Sequence, residues 1–167
     1  MTLRWAELVA NRERLERYYD AVPPLDGVLV RAVHLDRDGP TVTMRLELGA
    51  FPDRPEAEWV AEGCDRLQCH LRFLDVGDLK VSGWPLSASG GVRLERLAPA
   101  ERRRIAVEVG GAGGALMRFT SNASLAVGHF AALRGGGDTY WHAGPVDRLR
   151  LGNGLPDVTD HVFYERL

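Results

Sequence analysis

Thr41-Val42-Thr43-Met44-Arg45-Leu46-Glu47-Leu48 decides the fold, because apolar side chains at 42, 44, 46 and 48 alternate with polar ones. A period of two belongs to a strand with one covered face and one wetted face. Upstream, Leu29, Val33 and Leu35 share one face of a partner strand, and Asp36-Arg37-Asp38-Gly39-Pro40 supplies the Asp and Gly of a hairpin turn. Downstream, Arg66-Leu67-Gln68-Cys69-His70-Leu71-Arg72-Phe73 repeats the alternation, with Leu67, Cys69, Leu71 and Phe73 inward and the polar set toward solvent. Asp75-Val76-Gly77-Asp78 turns the chain into Leu79-Lys80-Val81-Ser82, and further strands fit 92–97, 105–109, 116–120 and 125–133. The connections are short and turn-like, which pairs neighbouring strands antiparallel in a meander.

The apolar face of such a sheet needs a cover. Over 2–20, Trp5, Leu8, Val9, Leu15 and Tyr19 recur at helical spacing until Pro23-Pro24 stops the run. The expected architecture is therefore α+β: one large twisted antiparallel sheet with an N-terminal helix packed on it. A closed barrel or a two-layer sandwich would write a similar pattern. Residues 1–134 form the expected α+β domain. From Gly135 to Leu167 the alternation is lost, but Tyr140, Trp141, Phe163 and Tyr164 remain, so 135–167 reads as a partly ordered C-terminal extension.

A chain of 167 residues with 45% hydrophobic and 26% charged side chains fits one globular domain with an adequate core. A formal charge of −2 gives no chain-wide attraction to nucleic acid. The opening Met-Thr-Leu-Arg-Trp-Ala has no apolar run, and no stretch reaches the ~18 apolar residues of a membrane span. A cytoplasmic protein with no membrane partner is the expectation. Of 21 basic residues all but Lys80 are arginine. Codon usage in a GC-rich genome explains that bias, and an arginine-rich binding face is the other reading.

The chemical inventory is thin. Gly110-Gly111-Ala112-Gly113-Gly114 leads into a strand-like segment and lacks the following Lys-Ser or Lys-Thr, so it reads as a hairpin loop and not a phosphate cradle. His34, His70, His129, His142 and His161 show no metal-ligand spacing, and Cys64 and Cys69 match no zinc knuckle. No Gly-x-Ser-x-Gly elbow surrounds any serine. Asp160-His161 is an acid–base pair without a nucleophile, and Glu101-Arg102-Arg103-Arg104 reads as a solvated loop. No catalytic, cofactor or metal residue is assigned. An enzyme would need titratable groups such as His129, His142 and Asp160 gathered by folding.

Several segments together resemble a known family: Pro23-Pro24-Leu25, Leu35-Asp36-Arg37-Asp38-Gly39-Pro40, Phe51-Pro52-Asp53-Arg54-Pro55 with Trp59, Leu71-Arg72-Phe73-Leu74-Asp75-Val76, and Gly83-Trp84. The chain is similar, from about Trp5 to Leu97, to the fiftieth immunity-protein family of bacterial polymorphic toxin systems. The resemblance implies a non-enzymatic cytoplasmic protein that binds and occludes a cognate toxin. Toxins that act on nucleic acid have basic clefts, so loop carboxylates become contact candidates: Asp53, Glu56 and Glu58, then Asp75 and Asp78. The alternative is a small-ligand-binding or structural module, with a pocket between sheet and helix.

Overall fold

The alternating stretch forms the strand Thr41–Glu47 (β2), paired antiparallel on one side with Leu29–Asp36 (β1) and on the other with Arg66–Phe73 (β3). Asp36 Oδ1 accepts the Asp38 N–H at 2.9 Å inside the connecting turn, where Gly39 takes a φ of 84°. The structure is a computed structural model and describes residues 3–83, 88–98, 103–111, 114–135 and 139–154. Trp84, Glu101-Arg102, Ala112-Gly113, Asp160-His161, Phe163 and Tyr164 lie outside the described residues.

After β3 come Gly77–Val81 (β4), Ala88–Ser89 (β5), Val92–Arg96 (β6), Arg104–Gly111 (β7), Gly114–Asn122 (β8), Ala126–Leu133 (β9) and Tyr140–His142 (β10). Among the described residues they build two antiparallel sheets, ordered β10-β9-β3-β2-β1-β5 and β4-β8-β7-β6. The α+β class stands, but the expected single meander divides. β1-β2-β3 and β6-β7-β8 are local meanders, and β9 returns across the chain to pair with β3. The reason is area: the apolar face of six strands is larger than a short helix can cover, so the second sheet supplies most of the cover. Phe73 meets Phe119 edge-on at 5.2 Å, and Leu94, Val107 and Met117 join Met44, Leu46 and Leu71 in one core.

The expected N-terminal helix is two single turns, Trp5–Leu8 (α1) and Glu13–Glu16 (α2). Between them Val9 forms a parallel bridge with Leu125, and Ala10 N–H donates to the Leu125 carbonyl at 2.8 Å. Asn11 completes the break. Its Nδ2 donates to the Val127 carbonyl at 2.7 Å and its Oδ1 accepts the Val127 N–H at 3.0 Å. Short amides compete with the helical ladder in this way.

The proline-rich loop after β2 carries the helical turn Ala57–Ala61 (α3), whose Trp59 is fully buried against Tyr18 with ring centroids 5.2 Å apart. Arg54 fastens this loop to the end of α2. Its guanidinium donates to the carbonyls of Arg17 at 3.1 Å and Tyr19 at 3.1 Å, and also to the Glu16 carbonyl and the Asp20 carboxylate. Beyond β10, Pro145–Leu151 forms a further short helix (α4). No helix among the described residues is long and apolar enough to cross a membrane.

Candidate functional site

The face of the six-stranded sheet opposite the core is built from the polar members of the alternations. Register places them in rows. Glu47, Gln68, Ala131 and His142 stand side by side on β2, β3, β9 and β10, and Arg45 stands beside His70 in the next row. Thr43 and Arg72 form the row after that. A shift of register between Gln68 and His70 bulges β9, and His129 takes a φ of 49° there. That bulge turns the His129 ring onto this face, where it lies against His70 with centroids 4.9 Å apart.

Charged side chains from three strands meet on this face, and Asp147 of α4 reaches it beside His129. Arg31, Arg45, Arg66 and Arg72 are set against Glu47 and, at the far end of β1, Asp36. Glu47, only 4% exposed, accepts from Arg31 Nε at 2.8 Å and Arg66 Nη1 at 3.1 Å. Its hydrogen bond to Arg31 pushes that guanidinium's pKa above the ordinary value. The two arginines remain 42% and 43% exposed, so their outer donors reach solvent. Gln68 is 3% exposed, and neither its Nε2 nor the buried Nε of Arg72 has a hydrogen-bond partner.

Gln68 and His70 were expected to face solvent, yet both are buried. They sit on a central strand, flanked by long arginine side chains and, for His70, the His129 ring. Burial, with help from His129 and Arg45, pushes His70 down to about 3. His129 is also lowered by burial, against the opposing pull of Asp147, whose Oδ2 is 3.1 Å from Nδ1. His142 Nε2 lies 3.2 Å from the Gly154 carbonyl. The carboxylate–imidazole pair of Asp147 and His129 has the form of the base half of a hydrolytic triad. The thiol of Cys69 is fully buried on the core side, its pKa pushed up to about 12, and does not complete one. Among the described residues no group of His, Cys, Asp and Glu is arranged to hold a metal. What the histidines do is tie α4 to the sheet, together with Arg148, which donates to the His142 carbonyl at 2.7 Å and pairs with Glu58 at 3.0 Å.

The five carboxylates expected in loops fall in two places, and two of them are not in loops: Glu58 lies in α3 and Asp78 in β4. Asp53, Glu56 and Glu58 precede β3 and Asp75 and Asp78 follow it, so the length of that strand, about 23 Å, separates the groups. Glu56 accepts from Tyr18 at 2.9 Å and Arg17 at 3.0 Å; Glu58 pairs with Arg148, and Asp75 with Arg104 at 2.5 Å. Asp53 accepts the Asp20 N–H at 2.8 Å while staying exposed, and Asp78 is exposed. Asp75 and Asp78 both have positive φ, of 51° and 53°, a conformation aspartate tolerates better than most side chains.

A groove of about 620 Å³ runs between the N-terminal segment and β6, floored by Trp5, Tyr19, Leu25 and Leu94. Its aromatic polar tips are already used: Trp5 Nε1 donates to the Pro23 carbonyl at 2.8 Å and the Tyr19 hydroxyl to the Ala50 carbonyl at 2.7 Å. Charged side chains also line it, Arg4, Glu7, Arg12, Glu16, Asp20 and Asp26, and of these Arg12 pairs with Glu16 at 2.7 Å.

Composition raised an arginine-rich binding face as one reading but gave it no position in the chain. The signal of that face lay in the polar halves of two alternations, Thr43-Arg45-Glu47 and Gln68-His70-Arg72, which become one surface only once the register is known. Compared with known proteins, the chain matches the sequence model of the family described as immunity protein 50 over residues 11–94. No curated protein and no solved structure matches it.

Proposed function

The chain belongs to the immunity protein 50 family, and on that premise we propose that it binds a cognate bacterial toxin domain and neutralises it by occlusion. In this reading it works in the cytoplasm of the producing cell, has no reaction of its own, and protects that cell by keeping substrate from the toxin. The observation that carries the reading is the family match over residues 11–94, a span that runs from α2 through β1, β2 and β3 to β6.

Occlusion needs a rigid surface of roughly 800 Å² per partner. A multi-stranded sheet face supplies one without an ordering cost on binding. The carboxylates Asp53, Glu56, Glu58, Asp75 and Asp78 are proposed as contacts for a basic toxin cleft, where they would speed association. Asp53 and Asp78, both exposed, are the ones to vary first.

The test is co-expression with the toxin domain encoded by the adjacent gene. Cells should survive only when this chain is present, and the two proteins should co-purify. Survival that does not depend on this chain, or failure to co-purify, would remove the reading.

A further inference from the structure

We propose that the toxin docks on the free edge of β6, where an extended segment of that partner, bearing a basic side chain toward Leu25, adds as a further strand. This rests on the immunity reading and names the mode of its contact. β6 ends the four-stranded sheet, with β7 as its neighbour. Gly110 N–H donates to the Gly91 carbonyl at 3.2 Å and Leu97 N–H to the Arg104 carbonyl at 3.3 Å, both across the β6–β7 pair. Backbone groups along a strand point to alternate sides, so those of Arg93 and Glu95 face β7 and those of Leu94 and Arg96 face away. Val92 N–H, which also points away from β7, is taken by the Leu25 carbonyl at 3.1 Å. Among the described residues no hydrogen bond reaches the outward groups of Leu94 and Arg96.

That edge opens onto a groove. Residues 93–96 form one wall of a volume of about 710 Å³, and Leu3, Arg4 and Glu7 form the other. Arg4 is itself extended, with φ −74° and ψ 104°. This volume shares Leu3, Arg4, Glu7 and Leu94 with the groove over Leu25. β4, the opposite edge of the sheet, is blunted by a register shift between Gly77 and Lys80 and by the lysine itself, whereas β6 keeps a regular register. Strand addition takes its affinity from main-chain hydrogen bonds and its specificity from alternate side chains. Charge selects the partner. Four carboxylates and two guanidiniums line the groove near Leu25, and of these Glu7 and Asp26 are exposed and in no ion pair among the described residues. A cation of the partner fits there. Asp53, one of the carboxylates proposed as contacts, accepts the Asp20 N–H, and Asp20 lines the same groove, so the two contacts belong to one surface.

The test reads amide hydrogen exchange, residue by residue, in the full-length chain alone and in its complex with the toxin domain of the adjacent gene. In the free chain Leu94 and Arg96 N–H should exchange faster than those of Arg93 and Glu95, and in the complex they should slow at least tenfold. Arg96→Pro removes one outward N–H where an edge strand tolerates the loss, and should weaken binding at least tenfold. Arg96→Ala, which keeps that N–H, should stay within about threefold of the wild type. Asp26→Lys should weaken binding several-fold and Asp26→Asn less; unchanged binding by Asp26→Lys overturns the basic side chain. Circular dichroism establishes that each variant is folded; if Arg96→Pro is not, exchange in the wild-type complex decides. A folded Arg96→Pro that binds as tightly as the wild type, or a complex in which Leu94 and Arg96 exchange as in the free chain, overturns this proposal and leaves the immunity reading standing. So does protection of both amides in the chain alone, where a dimer by sedimentation marks a second copy on the edge and a monomer marks a segment of the chain itself. A wild-type chain that neither binds nor rescues removes the immunity reading and this proposal with it.

Discussion

His129 lies tilted at 45° against His70, their ring centroids 4.9 Å apart, while its Nδ1 sits 3.1 Å from the Asp147 carboxylate. Two imidazoles this close and this buried stay neutral together. The folded pKa of His70, about 3, lies below the ordinary 6.5, so the unfolded chain binds more protons between those values. Stability is therefore full above about pH 6.5 and falls as pH drops toward 3, by up to ~1.4 kcal/mol per pH unit for one group. Urea melts across pH 7.5 to 4.5 should show the decline, and His70→Gln, which cannot titrate, should flatten it. Equal slopes for the two proteins would contradict the assignment.

Trp59 of α3 is fully buried against Tyr18. Trp59→Ala should cost roughly 3–5 kcal/mol by the loss of packed volume, and Trp59→Phe distinctly less. Denaturant midpoints measure both. A loss below about 1 kcal/mol for the alanine variant would mean that the ring is not a core group.

Gly91 and Gly39 separate backbone strain from collision. Both have positive φ, 85° and 84°, but a Cβ at Gly91 would stand 2.8 Å from the Leu25 carbonyl oxygen, while at Gly39 nothing lies within 4 Å. Gly39→Ala should cost about 1 kcal/mol, the penalty of the left-handed conformation, and Gly91→Ala clearly more. Thermal melts of the pair give the difference directly.

Arg54 reaches three backbone carbonyls and one carboxylate from a single planar group. Arg54→Ala should destabilise by about 1–3 kcal/mol, and Arg54→Lys should recover little, since an ammonium cannot span that fork. Proteolysis of the 49–56 loop should quicken in both variants. Lysine restoring wild-type resistance would show that charge alone suffices.

The strands were legible where the pattern is local. β3 begins and ends at Arg66 and Phe73, as the alternation indicates, and the Asp36–Pro40 turn lies where its residues place it. What could not be read was pairing over distance. Nothing in Ala126–Leu133 marks it as a neighbour of β3, because alternation records which face is covered and not by what. The same blindness hid the break at Val9 and Asn11, whose partners Leu125 and Val127 are far along the chain. The position of the arginine face stayed hidden for the related reason that its rows draw on separate strands and on a bulge at His129 that no propensity scale announces.

The bracket that Asn11 places around Val127, at a sequence separation of 116, also sets an order of events during synthesis. Asn11 gains both of these hydrogen bonds only after β9 has been made, long after the Arg54 contacts that hold the end of α2 can form. Contacts this remote make for slow completion, because loop closure must precede their reward. A chain interrupted before β9 therefore lacks both the neighbour of β3 and the anchor of its own first residues.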